Sequence, residues 1–103
     1  MAAYIVVDVS AVHDPDKYAE YRAGVSPEIA AAGGEYLVRG GDVQVLEGEW
    51  KPGRLVIVRF KSVEDARRWW EAPEYASLKR LRQQSTHTNM VLVEGVAPAA
   101  VQP

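Results

Sequence analysis

The alternation of hydrophobic and polar residues along the chain predicts four strands and two helical regions. Residues 3–10 are rich in β-branched residues and alternate in polarity, which is typical of a strand. The segments 35–39, 54–60 and 87–94 have the same character. Residues 43–48 are predicted to add strand after a bulge or tight turn at Gly40-Gly41-Asp42, as part of a bent strand or of a hairpin.

The first helix is predicted to begin at Asp14-Pro15. Asp14 can cap the free N–H groups of the first turn, and proline tolerates the first helical position because it has no N–H to lose. An apolar face at helical spacing then follows, made of Tyr18, Tyr21, Val25 and Ile29. Pro27 predicts a kink, or a restart of the helix with Ser26 as its new cap. Gly33-Gly34 is predicted to end the helix, with one glycine in the left-handed conformation.

A second helical region is predicted after the strand at 54–60. Ser62 and Asp65 have the spacing of a capping box, and Pro73 is expected to break the helix and restart it. The apolar face of this region consists of Val63, Ala66, Trp69, Trp70, Tyr75, Leu78 and Leu81. Arg82 follows Leu78 by four residues, so we expect it to turn toward the sheet and toward Glu47 or Glu94.

Both faces of the predicted sheet are apolar, whereas an antiparallel sheet with one face in water should alternate. Ile5, Val7 and Val9 oppose Tyr4 and Val6 in the first strand, and the strands at 54–60 and 87–94 behave likewise. Leaving about 400 Å² of such a face in water would forgo about 10 kcal/mol, which is comparable to the stability of a small domain. We therefore expect a homodimer that covers the helix-free face through a two-fold axis.

Composition narrows the function classes. The chain has 103 residues, the size of one domain, and a net charge of −2, which argues against a nucleic-acid partner. No apolar run is long enough to span a membrane, and the N-terminus lacks the basic region of a signal peptide. There are no cysteines, which excludes disulfides, thiolate metal sites and a cysteine nucleophile. We expect a cytoplasmic protein without membrane or nucleic-acid partners.

Polar and aromatic residues near the predicted strands and helices form the candidate ligand pocket. Its members are Tyr21, Arg39, Glu47, Arg54, Trp69, Tyr75 and His87. Arg39 or Arg54 could bind a small carboxylate through the two-pronged geometry of a guanidinium group. The alternative is structural, with Glu47 pairing with an arginine across the hairpin.

The aromatic and histidine residues also leave two readings open. Aromatic residues at helical spacing usually form core, yet adjacent Trp69 and Trp70 cannot both point inward. His87 begins the last predicted strand and would act as a general base only with a carboxylate nearby; otherwise it is a surface or hydrogen-bonded residue. No histidine or carboxylate spacing typical of a metal site is present, so we expect no metal and no cofactor.

The chain resembles the bacterial domain-of-unknown-function family 1330 from Tyr4 to Gly95. The most specific parts of the resemblance are Gly33-Gly34, Arg39-Gly40-Gly41, Leu46-Glu47-Gly48, Trp50, Pro52, Arg54 and Pro73-Glu74-Tyr75. The resemblance implies an α+β, ferredoxin-like βαββαβ fold with an antiparallel sheet, assembled as a dimeric α/β barrel with a pocket in each subunit between sheet and helices. We expect one domain over residues 1–95 and a C-terminal tail over 96–103 that is flexible or packed on the partner.

Three functions remain compatible with the sequence. The first is a small-molecule-binding homodimer, with cofactor-independent catalysis on a small organic acid or phenol as an option. The second is a non-catalytic dimeric structural or interaction module, and the third is a cofactor-free oxygenase acting on an activated aromatic substrate. They share one fold, so only the site can separate them: a cavity with unpaired polar groups favours the first or third, and paired groups without a cavity favour the second.

Overall fold

The computed structural model describes residues 1–97 and has four strands and three helices over that range. Their bounds are β1 Ala3–Val12, α1 Pro15–Ala31, β2 Glu35–Arg39, β3 Arg54–Phe60, α2 Val63–Glu71, α3 Pro73–Ser85 and β4 Thr86–Glu94. The strands form one antiparallel sheet in the order β2-β3-β1-β4. This is the α+β, ferredoxin-like arrangement expected from the sequence.

The helices cover one face of the sheet, and the core lies between them. The register places Val7 of β1 between Val56 of β3 and Met90 of β4, so these three side chains share the helix-covered face. Buried residues of α1 meet this face, and α1 packs along α3. The aromatic side chains Phe60, Trp69 and Tyr75 close the core beneath α2 and α3.

The first helix is one continuous element. The carboxylate of Asp14 accepts a hydrogen bond from the backbone N–H of Lys17 at 3.1 Å, which confirms the predicted cap. The restart predicted at Ser26 is wrong, since α1 continues through Pro27 to Ala31. The carbonyl that loses its donor to Pro27 belongs to Ala23, which is exposed, so water can replace the missing bond. Gly33 has φ +84°, so the prediction of a left-handed glycine is confirmed.

The predicted break at Pro73 is confirmed. Ser62 caps α2 by accepting from the N–H of Asp65 at 3.1 Å, and Ala72 is both the last cap of α2 and the first of α3. Because the chain changes direction at Ala72, α3 is free to pack along α1 rather than continue over the sheet. This redirection brings Tyr75 and Arg82 of α3 to the inside of the molecule.

The strand predicted over 43–48 is wrong. Residues 41–53, which we call the arm, contain no strand. The N–H of Gly40 makes a last bond to the carbonyl of Leu55, and the chain then turns away with φ +74° at this glycine. β2 pairs with β3 along one side only, and no described strand pairs with the arm, although the outer edge of β2 is free. Its apolar side chains are exposed, with Leu46 94% and Trp50 62% accessible.

The carboxylate of Asp8 fastens the returning end of the arm to the sheet. Its two oxygens accept hydrogen bonds from the indole N–H of Trp50 and from the backbone N–H of Gly53, both at 2.9 Å. Asp8 is thereby 6% exposed although it lies on the helix-free face of β1. The arm therefore leaves the sheet at β2 and is tied back to it at β1.

The helix-free face of the sheet is apolar, as the sequence predicts. Tyr4, Val6, Leu55 and Ile57 are half-buried there, and the strand β4 adds Val91 and Val93, which are 54% and 47% exposed. The opposite face carries the core. Of the predicted tail, residues 96 and 97 follow β4 and are exposed, while 98–103 lie outside the described residues.

Candidate anion-binding cavity

A cavity of about 50 Å³ lies between the helix-covered face of the sheet and α1. Its floor is aliphatic, from β1 and β3, and tyrosines from α1 and β2 form its walls. A water needs about 10–15 Å³ of such volume, so the space suits roughly three to five atoms of that size. The cavity therefore has room for a small molecule and is not merely a packing defect.

Among residues 1–97, four arginines and no acidic residue line this cavity. They are Arg22 of α1, Arg39 at the end of β2, Arg54 at the start of β3 and Arg82 in α3. Across residues 1–97 the only ion pairs are Arg67 with Glu71 and Arg68 with Asp65, and both are on or at α2. The cavity thus concentrates positive charge without a protein counterion.

Arg39 is held at the outer edge of the cavity by three contacts. Its Nη2 donates a hydrogen bond to the hydroxyl of Ser26 at 2.8 Å, and its guanidinium lies 4.4 Å from the centre of the Tyr36 ring. The hydroxyls of Ser26 and Tyr36 are 3.3 Å apart. These neutral contacts position the guanidinium of Arg39, which is exposed to solvent at the edge of the cavity.

Arg54 lies against the glycine at which the arm begins. A Cβ at Gly40 would collide with the Arg54 guanidinium, so the absence of a side chain there makes room for the arginine. The left-handed φ of Gly40 also favours glycine. The Nε of Arg54 is buried and has no hydrogen-bond partner among the described residues.

Arg82 is the most deeply placed of the four, with 4% of its surface exposed. Its Nε is buried without a hydrogen-bond partner in the described part of the chain, and its guanidinium carbon is 5.8 Å from the centre of the Tyr21 ring. The last turn of α3, where Arg82 lies, favours a cation through the helix dipole. That attraction is small beside the cost of burying a charge without a partner.

Tyr21 and Tyr75 form a buried hydroxyl pair at the helix side of the cavity, with their oxygens 2.9 Å apart. Tyr21 lines the cavity and Tyr75, which has no exposed surface, lies behind it. Burial, reinforced by Tyr75, raises the pKa of Tyr21 far above its ordinary value, against the opposing effect of Arg82. Tyr21 is therefore a neutral hydrogen-bond donor at physiological pH and not a phenolate base.

The structure brings together five of the seven candidate residues. Tyr21, Arg39, Arg54 and Trp69 line the cavity, and Tyr75 lies one hydrogen bond behind it. Sequence reasoning expected Arg82 to turn inward but did not make it a pocket candidate, and it did not place Arg22 and Tyr36 at the cavity. The only signals for them were the four-residue spacing from Tyr18 to Arg22, whose side chains stack, and the alternation of β2.

Glu47 and His87 lie outside the cavity. Glu47 is exposed on the arm, and the structural alternative for it is also wrong, since no described arginine forms an ion pair with it. Its predicted position depended on a strand over 43–48 that does not form. His87 is exposed and pairs with Ala11 beyond a register shift in β1, which carries it away from the cavity.

Arg82 turns inward as expected, but it pairs with neither Glu47 nor Glu94. Among residues 1–97, no group of three histidine or acidic side chains is arranged to hold a metal ion. No helix in the same range is long and apolar enough to cross a membrane.

Comparisons with known proteins place the fold in a family. The model of the family described as a domain of unknown function (DUF1330) matches residues 2–96. The search of curated proteins finds no match.

Solved structures with the same fold come from several bacteria. The RPA0582 protein of Rhodopseudomonas palustris superposes with a TM-score of 0.74 at 18% identity, over 94% of this chain and 84% of that one. A candidate antibiotic biosynthesis monooxygenase from Nitrosomonas europaea superposes with a TM-score of 0.53 at 15% identity, over 94% and 91%. Rv0793 of Mycobacterium tuberculosis gives 0.54 at 14% identity, over 95% and 97%. At these identities the likeness shows the fold alone.

Proposed function

We propose that this chain, which belongs to the family of domain of unknown function DUF1330, is a homodimeric protein that binds a small organic anion in the arginine-lined cavity. The observation that carries the proposal is the burial of Arg82, which is only 4% exposed. It has no described counterion, and the cavity that it lines has no acidic residue among residues 1–97. Buried charges in proteins are paired or shift to their neutral form. Arginine does not become neutral, so a bound anion is the missing partner.

The other three arginines support an anion of more than one oxygen. A guanidinium group binds a carboxylate through two parallel hydrogen bonds, and such charge-assisted bonds are about twice as strong as neutral ones. Arg54 has an unsatisfied Nε beside the same space, and Arg39 is already oriented by Ser26. The aliphatic floor suits the carbon skeleton of an organic acid better than a fully hydrated inorganic ion.

The cavity favours the first and third of the functions compatible with the sequence. A non-catalytic module was expected to pair its polar groups and leave no cavity, whereas four arginines surround this cavity without an ion pair among residues 1–97. The structure offers positive charge and a neutral phenol at the site, which would stabilise an oxyanion formed from a bound organic acid. A cofactor-free oxygenase reaction would need the same stabilisation, and its only specific support is the description of the Nitrosomonas europaea relative in fold.

The helix-free sheet face supports the homodimer. Its exposed valines and the apolar side chains of the arm are hydrophobic groups in contact with water, and such exposed apolar surface is typical of protein–protein interfaces. A stable interface buries about 800 Å² on each partner, and a second copy of the same face is the simplest cover. Sedimentation equilibrium at micromolar concentration tests this part separately: a folded monomer would refute it.

Thermal unfolding in the presence of small organic molecules tests the ligand. The anions acetate, propionate and malonate are compared with phenol, which is neutral at pH 7, at fixed ionic strength and with chloride as the reference salt. At a concentration of 100 times its Kd, a ligand stabilises the folded state by about 2.7 kcal/mol. We expect a carboxylate to raise the melting temperature of the wild type and of Arg80→Gln, which changes an exposed arginine of α3, but not of Arg54→Gln. Equal responses in all three proteins would overturn the proposal.

A further inference from the structure

The hydrogen bond between the buried hydroxyls of Tyr21 and Tyr75 can be assigned a donor and an acceptor, which the proposed function does not by itself require. The hydroxyl of Tyr75 has one partner among the described residues, the hydroxyl of Tyr21. Tyr75 has no exposed surface, so water does not reach it from outside. A hydroxyl in this position can satisfy its proton only by donating it to Tyr21, because a buried donor without an acceptor is costly.

When Tyr75 donates to Tyr21, the proton of Tyr21 needs another acceptor. Arg82, the charged neighbour of the Tyr21 ring, carries only donors. The rings of Tyr18 and Tyr21 are stacked, with an angle of 13° between their planes. The two residues therefore contact each other through their ring faces and not through a hydrogen bond between their hydroxyls. The side of Tyr21 that remains open is the cavity, which Tyr21 lines and Tyr75 does not. An acceptor in the ligand space would satisfy its hydroxyl proton.

We propose that Tyr21, oriented by Tyr75, is a ligand-facing hydrogen-bond donor that acts with Arg82 to select an oxyanion, so that the cavity takes carboxylates or enolates in preference to halides of equal charge. This inference rests on the proposed function, because it specifies which anions the cavity accepts. Tyr21 would touch the ligand, and Tyr75 would act only by positioning it. The arginines supply attraction to any anion, whereas a phenolic O–H gives a directional bond that oxygen lone pairs accept best.

The neutral state of Tyr21 fits this role. A donor must keep its proton over the working pH range, and the burial that raises the pKa of Tyr21 ensures that it does. The same burial makes its bond to a charged oxygen stronger than it would be in water. The hydrogen bond thus connects Tyr75, which is fully buried, to Tyr21, the donor at the cavity wall.

Binding of propionate and of bromide to Tyr21→Phe and Tyr75→Phe tests the inference by calorimetry at constant ionic strength. Both variants keep their aromatic rings, so the packing of the core is retained, and circular dichroism checks that they fold. Loss of a hydrogen bond to a charged group corresponds to about tenfold weaker binding or more. We expect Tyr21→Phe to weaken propionate by that factor and leave bromide unchanged.

Tyr75→Phe is expected to weaken propionate less, roughly threefold to tenfold, because the donor remains but loses its orientation. A general structural role would move both anions equally, so the ratio of the two affinities is the decisive readout. If the wild type binds propionate and Tyr21→Phe binds it equally well, this inference is wrong while the anion site stands. If the wild type binds neither anion, the proposed function itself is wrong.

Discussion

Replacing Arg82 by methionine should make the ligand-free protein more stable, the opposite of what removing a structural arginine does. The wild type buries a guanidinium group with 4% exposure and no described counterion. Methionine is unbranched and flexible, so it can follow the course of the arginine stem and fill an irregular gap without bringing a charge. The change therefore removes a desolvation cost and keeps most of the packing.

The size of the effect follows from opposing contributions. Burial of an unpaired ion costs several kcal/mol after relaxation. The wild type recovers part of this through the C-terminal turn of α3, worth about 0.3–1 kcal/mol, and through the Tyr21 ring at 5.8 Å, worth about 0.5–2 kcal/mol. We expect Arg82→Met to raise the free energy of unfolding by about 1–3 kcal/mol, at roughly 4–8 °C of melting temperature for each kcal/mol.

Chemical and thermal unfolding of wild type, Arg82→Met and Arg80→Met, all at one protomer concentration, measure this effect. Arg80 is exposed on the same helix, so its replacement should change stability by less than about 0.5 kcal/mol. A carboxylate that stabilises the wild type should leave Arg82→Met unaffected. If Arg82→Met is destabilised by 2 kcal/mol or more (roughly the loss expected for a core contact), Arg82 is a structural residue and the reasoning fails.

Two further substitutions test the elements that support the site. Gly40→Ala should destabilise the protein by about 1–3 kcal/mol and weaken carboxylate binding, because it strains a left-handed residue and displaces Arg54. Gly41→Ala is the control, since a Cβ at Gly41 would meet no neighbouring atom. Equal effects of the two substitutions would contradict this view. Asp8→Ala should cost about 1–3 kcal/mol and change the tryptophan fluorescence, since Trp50 and Gly53 lose their acceptor and the arm is released; an unchanged emission spectrum would show that the arm does not depend on Asp8.

The strands and the helix breaks could be predicted because their signals are local. Pro73 and the caps at Asp14 and Ser62 determine where helices begin, and the alternation over 54–60 predicts the bounds of β3. The strand predicted over residues 43–48 does not form. Their alternation resembles a strand, but a strand needs a hydrogen-bonded neighbour, and the arm turns away at Gly40 without pairing with the free edge of β2.

The candidate site was only partly predictable because its charges come from four separate elements. Arg39 and Arg54 stand near glycines that mark close approach, and this signal is visible in the sequence. The inward turn of Arg82 was expected from its spacing after Leu78, but its position at the cavity depends on how α3 packs along α1. Glu47, one of the counterions expected for an arginine, lies instead on the exposed arm.

The placement of the arginines also explains why the cavity stays open. Like charges repel, so side chains of one sign do not close over a common space unless an opposite charge enters it. Outside the cavity, Arg67 and Arg68 lie near carboxylates of α2, whereas the exposed Arg59 and Arg80 form no ion pair among residues 1–97. Arg82 differs from all four because it is buried, with 4% of its surface exposed.

Calorimetric titration of the wild type with small carboxylates, at constant ionic strength and with Arg82→Met as the reference, tests the anion site most directly. We expect the wild type to bind one carboxylate per protomer saturably and the variant to bind none. Heats of the folded wild type that match those of Arg82→Met for every acid tried would contradict it.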